Sequence, residues 1–316
     1  MGLAFQKGEA RMEPLSAVLR GMRLKGSIYA AWELRAPWGM ALPEGPFASF
    51  HLVEQHGCWL RTSRDVLHVE AGELVVLFGG QAHQLTSTRE ASAVPLAQLL
   101  ARHPAVVGVH HAGGAGAPSR LVCGKFSAEG EQGIRMLRGL PRVVHLGRAK
   151  LASLPALRAL LESLAHEAAS SAPGAATAAA RITEALFVQV LRALLLDTGE
   201  APPGWLAGLR EPRLAEALHQ LHLDPARDWS VGELAARVGM SRTRFALLFQ
   251  ERIGQPPMTY LTHLRLDLVA QRLRDGEESI GELAHAAGFA SPSGLNRAFH
   301  RHFGQTPSAF RRATRA

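Results

Sequence analysis

The chain is short of cysteine, with two in 316 residues, Cys58 and Cys123. Two thiols cannot build a disulfide framework, and their count suits a reducing compartment. No apolar run approaches the roughly 18 residues that a membrane span needs, so no membrane partner is expected. The opening "MGLAFQKGEARMEPLSAVLRG" lacks an apolar core followed by a small-residue cleavage site, which points away from secretion. A cytoplasmic location is the expectation. Lysine is missing after residue 210, where every positive side chain is arginine.

What is present divides by composition. Residues 20–125 hold short β-type runs, "FASFHLVEQ", "CWLRTS", "VLHVEAGELVVLF" and "SRLVCGKF", separated by Gly, Pro and acidic turns, as in a small antiparallel barrel or sandwich. From about 151 the apolar spacing becomes helical, broken by "SSAPGA" and again by "GEAPPGW" at 199–205. The expected fold is α+β in two domains. Residues 1–200 form a β-rich domain (barrel about 14–150, helices about 151–198), 201–211 a linker, and 212–316 an all-α domain. A hydrophobic content of 47% can fill two cores, and a net charge of +8 suggests polyanionic partners.

One helical pattern near the C-terminus is written twice. "SVGELA" (230–235) and "SIGELA" (279–284) each place Ser three residues before Glu, the capping box that opens a helix. Gly239 and Gly288 suit the helix ends. Ser241 and Ser291 can then cap a second helix, with Pro292 at its first position. The spacing predicts two helix-turn-helix units. In the first, Phe245, Leu248 and Phe249 point inward and leave Thr243, Ala246, Leu247 and Gln250 outward, flanked by Arg242 and Arg244. In the second, Leu295, Ala298 and Phe299 point inward, with Ser293, Asn296, Arg297, His300 and Arg301 outward. Hydroxyl, amide and guanidinium groups on an exposed helix stripe can read base edges in a major groove. The apolar Ala246 and Leu247 suit thymine methyl contacts better. Between the copies, residues 256–276 form an amphipathic helix with Leu261, Leu264, Leu268, Val269 and Leu273 as its packing face. Such a spacer can hold two recognition helices about one duplex turn, roughly 34 Å, apart.

The region 210–316 closely resembles the DNA-binding domain of AraC/XylS-type transcription regulators. The matching signature is "AHAAGFASPSGLNRAFHRHFGQTPSAFRR", with Gly288, Phe289, Ser291, Leu295, Arg297, Ala298, Phe299, Phe303, Gly304, Pro307 and Phe310 in the family's places. Gly294 stands where a better helix former is commoner. The resemblance implies promoter DNA and RNA polymerase as partners. Similarly, "VEAGELVVLFGGQAHQL" (69–85) resembles the second cupin motif through Gly72, Glu73, Gly80 and His83, with Phe78 in place of the usual proline. Together with "APWGM", "CWLR", "SRLVCGKF" and "LFVQVLRALL", it implies a cupin-type sensor domain over most of 14–210.

Many cupins hold a metal through an H-x-H pair, a distant Glu and a late His. His83 matches the late ligand, but in "FHLVEQHGCW" an extended strand puts His51 on the face opposite Glu54 and His56. "EQHG" reads as a hairpin turn that carries His56. His51 and His83 remain candidate ligands for a metal or a small-molecule effector. A metal-dependent cupin enzyme with an accessory DNA-binding domain is the alternative function. Cys123 reads as a small buried hydrophobe; Cys58, opening a strand beside Trp59, is the more accessible thiol. Either would serve as a redox sensor only as an exposed thiolate near positive charge, which Arg120 and Lys125 could supply near Cys123. On "RITEALFVQVLRALLL" the stripe Ile182, Leu186, Val190 and Leu194, adjoined by Phe187 and Leu191, either packs on the barrel or holds a second copy in a homodimer.

Overall fold

The computed structural model describes residues 13–315 except 21, 198, 200 and 201, and it divides into two compact units, residues 23–202 and residues 1–22 with 203–316. The start of the chain and Ala201 in the expected linker lie outside the described residues.

In the first unit the strands are β1 (Leu24–Arg35), β2 (Gly39–Leu42), β3 (Phe47–Gln55), β4 (Cys58–Arg61), β5 (Val66–Val69), β6 (Glu73–Leu77), β7 (His83–Thr86), β8 (Val94–Pro95), β9 (Val109–Gly113), β10 (Pro118–Ala128) and β11 (Val143–Leu146). They form two sheets, ordered β11-β6-β3-β10-β1-β9 and β5-β4-β7-β2-β8. The sheets do not close into a barrel, and β1–β9 and β2–β8 pair in parallel, so the all-antiparallel barrel is corrected to two mixed sheets. Alternation along the strands builds the core that includes Trp32, Leu34, Met40, Val53, Leu60, Val75, Leu77, Leu85 and Leu121. "EQHG" is not a hairpin. β3 and β4 belong to different sheets, so the turn carries the chain from one to the other, with exposed His56 in the left-handed region at φ 51°.

The other face of the larger sheet is apolar too, which is why β6 is buried at every position. Phe126 stacks between Phe50 and Phe187, at centroid distances of 4.9 and 5.2 Å. Phe187 belongs to the sixth of the helices, which run α1 (Pro14–Leu19), α2 (Leu96–Arg102), α3 (Gly130–Arg138), α4 (Arg148–Ala152), α5 (Pro155–Ala168) and α6 (Ala175–Leu195). α6 lies so close to β1 that a Cβ on Gly26 would sit 2.6 Å from the Thr183 side chain. The stripe considered for dimerisation is therefore used inside the chain. Leu186, Phe187, Val190, Leu191 and Leu194 are all buried, and each such large side chain contributes about 1.5–3 kcal/mol.

The second unit holds α1 together with α7 (Trp205–Arg210), α8 (Pro212–Leu223), α9 (Val231–Arg237), α10 (Arg242–Ile253), α11 (Pro257–Asp275), α12 (Ile280–Ala286), α13 (Pro292–Phe303) and α14 (Pro307–Arg315). Two findings differ from the expected boundaries. Residues 205–210 are helix, with Trp205, Leu206 and Ala207 buried, so they belong to the core rather than to a linker. α1, expected with the β-domain, packs on α8 through a segment whose Leu15, Ala17 and Val18 are buried. α11 is buried on more than one face. Leu261, Leu264, Leu266, Val269, Ala270 and Leu273 are all covered, whereas Leu268 is half-buried.

Candidate nucleic-acid interface

Local chemistry sets both helix pairs. The Ser230 side chain accepts from the Glu233 amide at 3.1 Å and Ser279 from the Glu282 amide at 3.2 Å. Only α12 completes the reciprocal box, through Ser279 N to Glu282 Oε2 at 2.7 Å; Glu233 instead takes Arg227. Gly239 and Gly288 follow the first helices with φ of 65° and 76°, the left-handed turn that glycine adopts without strain. Ser241 and Ser291 then cap α10 and α13 by accepting from the third-residue amides at 3.4 and 3.1 Å. Gly254 and Gly304 close them in the same left-handed geometry.

Buried Phe245 and Phe249 anchor α10, as Leu295 and Phe299 anchor α13. Leu248 and Ala298, expected inward, are half-buried. On α10, Arg242, Thr243, Arg244, Leu247 and Gln250 are exposed, and Ala246 is half-buried rather than fully outward. On α13, Pro292, Ser293, Asn296, Arg297, His300 and Arg301 are exposed; Ser291 is exposed as well, with its hydroxyl engaged as the cap. Each motif thus carries a solvent-facing polar or cationic stripe that runs from the helix N-terminus toward its last turn.

Arg265, which the sequence reading passes over, ties the two motifs together. From α11 its guanidinium donates to the carbonyls of Pro225 (2.7 Å), Arg227 (2.8 Å), Gly288 (2.9 Å) and Ala226 (3.4 Å). One side chain thereby pins the loop before α9 to the turn between α12 and α13. A cationic residue inside an amphipathic helix reads as solvated surface, so its periodicity gives no signal of this role.

In the first unit, His51 and His83 meet. Their Nε2 atoms lie 2.8 Å apart in the interior between the sheets, with both rings buried. Burial holds both imidazoles below the usual histidine range, and the neighbouring ring lowers His51 further. His83 Nδ1 sits 2.9 Å from the Gln81 carbonyl, so it carries the proton donated there. Its Nε2 then accepts from His51 Nε2–H, which leaves His51 Nδ1 a buried lone pair without a partner. This geometry does not fit a cupin metal. Two nitrogens on one tetrahedral ion stand roughly 3.3 Å apart at ordinary Zn–N lengths. Among the described residues no group of three His, Cys, Asp or Glu can hold an ion. Glu73, in the cupin acidic place, is instead bound by His145 Nε2 at 2.7 Å and by the Glu70 amide at 2.9 Å. Burial would raise its pKa, but these bonds hold it below the usual carboxylate range.

The cysteines are both fully buried, which corrects the accessible Cys58. Burial pushes the Cys58 thiol up to about 12, and burial with Cys58 beside it pushes Cys123 higher. Lys125 lies over the rings of Tyr29 and Phe47. Neither thiol has the exposed, cation-stabilised thiolate of a redox sensor.

The comparisons separate the same two parts, except that the cupin match takes in α1, which packs with the second unit. The cupin family matches residues 13–196 and the helix-turn-helix domain family residues 234–313. A putative AraC-like transcription regulator of Streptomyces antibioticus is 32% identical over 307 residues, covering 95% of this chain and 99% of that protein. Another from Streptomyces lividans is 32% identical over 311 residues, with 95% and 98% covered. Among solved structures, an AraC-type transcriptional regulator from Chromobacterium violaceum is 30% identical over 33% of this chain and 92% of that one, with a TM-score of 0.31. The chain belongs to the AraC family of transcription regulators, joining a cupin N-terminal domain to an AraC-type helix-turn-helix DNA-binding domain.

Proposed function

We propose that this regulator is cytoplasmic and binds promoter DNA by placing α10 and α13 in two successive major grooves. The observation that carries the reading is the repetition of one capped helix pair, each with an exposed stripe along its second helix. Arg242, Thr243, Arg244, Ala246, Leu247 and Gln250 form the first contact set. Ser291, Pro292, Ser293, Asn296, Arg297, His300 and Arg301 form the second. Arg297 suits guanine and Asn296 adenine, while the flanking arginines suit phosphates. The protein acts as a regulator rather than an enzyme, with RNA polymerase and a second copy of itself as protein partners. The cupin domain senses a signal that shifts the chain between states of different DNA affinity.

The experiment is fluorescence anisotropy of the full chain on its own upstream region across a salt series. Binding should fall linearly in log–log form as salt rises. Arg297→Ala should weaken binding by roughly 1–3 kcal/mol and relax preference at one base pair. A loss of equal size on every DNA sequence would make Arg297 a phosphate contact, and no saturable binding at low salt would defeat the proposal.

A further inference from the structure

The two recognition helices superpose position for position in sequence, because cap, anchor and terminal glycine recur: Ser241 with Ser291, Phe249 with Phe299, Gly254 with Gly304. In that register their exposed chemistry diverges. Ala246 corresponds to Asn296, Leu247 to Arg297, and Glu251 to Arg301. Leu247 is 67% exposed, one of six large hydrophobic side chains left in solvent among the described residues. It anchors nothing in its own core, which is held by Phe245, Phe249 and Ile253. Its neighbours on the exposed side are Thr243 and Arg244 one turn earlier and Gln250 one turn later.

An aliphatic side chain on a groove-entering stripe has one apolar target. The major groove offers hydrogen-bonding edges from all four bases, but a methyl group only from thymine. The equivalent place on α13 carries Arg297, whose fork suits guanine. Glu251 beside Leu247 also removes the phosphate attraction that Arg301 supplies on α13. The first motif therefore loses both hydrogen-bond readout and backbone charge at the positions where the second has them.

We propose that the two motifs read different chemistry: α10 recognises thymine 5-methyl groups through Leu247 and Ala246, and α13 recognises hydrogen-bonding base edges through Asn296 and Arg297. The operator is then a two-part site with a thymine-bearing half under α10. This rests on the assignment of α10 and α13 as groove-reading helices.

The test begins with duplexes selected from a random pool by the full-length protein. Each thymine is then replaced by deoxyuridine, which removes the methyl and keeps every hydrogen-bonding atom. Substitution in one half should weaken binding about 3- to 10-fold per thymine contacted, and in the other half leave it unchanged. Leu247→Ala should bring a comparable loss and shrink the deoxyuridine effect to the part that Ala246 carries; the exposure of Leu247 makes the fold indifferent, which an unchanged melting temperature confirms. Leu247→Arg should move the selected base toward guanine. Selected DNA that binds equally well with deoxyuridine throughout overturns the proposal while leaving groove reading intact. So does a deoxyuridine effect of undiminished size in Leu247→Ala. A Leu247→Ala protein that binds DNA normally but loses transcriptional output overturns it too, and marks Leu247 as a surface for a protein. Failure of the wild-type protein to select any sequence overturns both this proposal and the assignment beneath it.

Discussion

The paired turn glycines give a quantitative check on how the motifs are held. Gly239 and Gly288 occupy equivalent turns with similar positive φ, so alanine at either incurs the left-handed penalty of about 1–2 kcal/mol. Their surroundings differ. A Cβ at Gly239 meets nothing within 4 Å, whereas at Gly288 it would lie 2.2 Å from the Ala226 carbonyl oxygen, more than an ångström inside ordinary contact. That oxygen is backbone and cannot swing aside. Moving it strains the loop that Arg265 grips, and Arg265 also bonds the Gly288 carbonyl itself. Losing a hydrogen bond to a charged group adds about 1.5–3 kcal/mol. Gly288→Ala should therefore destabilise the second unit by about 2.5–5 kcal/mol and Gly239→Ala by about 1–2 kcal/mol. The first loss is a large part of the 5–15 kcal/mol typical of a domain. Calorimetry of the two full-length variants measures the difference. Equal losses from the two, within about 0.5 kcal/mol, would refute the account of Arg265 and the 225–227 loop as a clasp between motifs.

Three further outcomes follow from the same contacts. Gly294 has helical backbone and only the Ser291 side chain near its missing Cβ, at 3.4 Å, so Gly294→Ala should raise stability by about 0.5–1 kcal/mol in thermal unfolding. Arg265→Leu should weaken DNA binding more than 10-fold without touching a base, because both grooves must be met at once; loss of contact in only one half-site would contradict it. His222, half-buried and bonded to the Tyr260 hydroxyl at 2.7 Å, is held down to about 4 by desolvation and by nearby His219. The unfolded chain takes up that proton first, so the stability is complete above about pH 6.5 and is lost as pH falls toward 4. The loss amounts to about 3 kcal/mol, and His222→Gln should flatten the dependence in unfolding measured from pH 7 to pH 4.

The C-terminal motifs were legible in the sequence because caps and glycine turns are local chemistry, settled within three or four residues. Arg265 was not, since its partners lie 23 to 40 residues away and are backbone carbonyls, which any sequence supplies. Strand alternation separates buried His51 from exposed Glu54, whereas His56 lies beyond the strand in the turn. Alternation could not show that His83, on a strand of the other sheet, faces His51 across the interior. Cys58 looked accessible because it opens a strand; its pairing opposite Val69 in β5 buries it. The α6 stripe reads the same whether it meets a sheet or a second copy. What decides it is the aromatic outer face of the larger sheet, assembled from Phe50, Phe78 and Phe126 on separate segments. "GEAPPGW" marked a break, but the helix that starts at Trp205 is fixed by its burial in the second unit.

The central claim is that one chain reads two successive major grooves. Hydroxyl-radical and base-methylation footprinting of the full-length protein on its selected DNA tests it most directly. The account predicts two protected major-groove segments on one face of the duplex, about 10–10.5 base pairs apart. Arg297→Ala should weaken guanine-N7 protection in one segment only, and Leu247→Ala should weaken backbone protection in the other only. A single protected segment, or both substitutions weakening the same one, would contradict it.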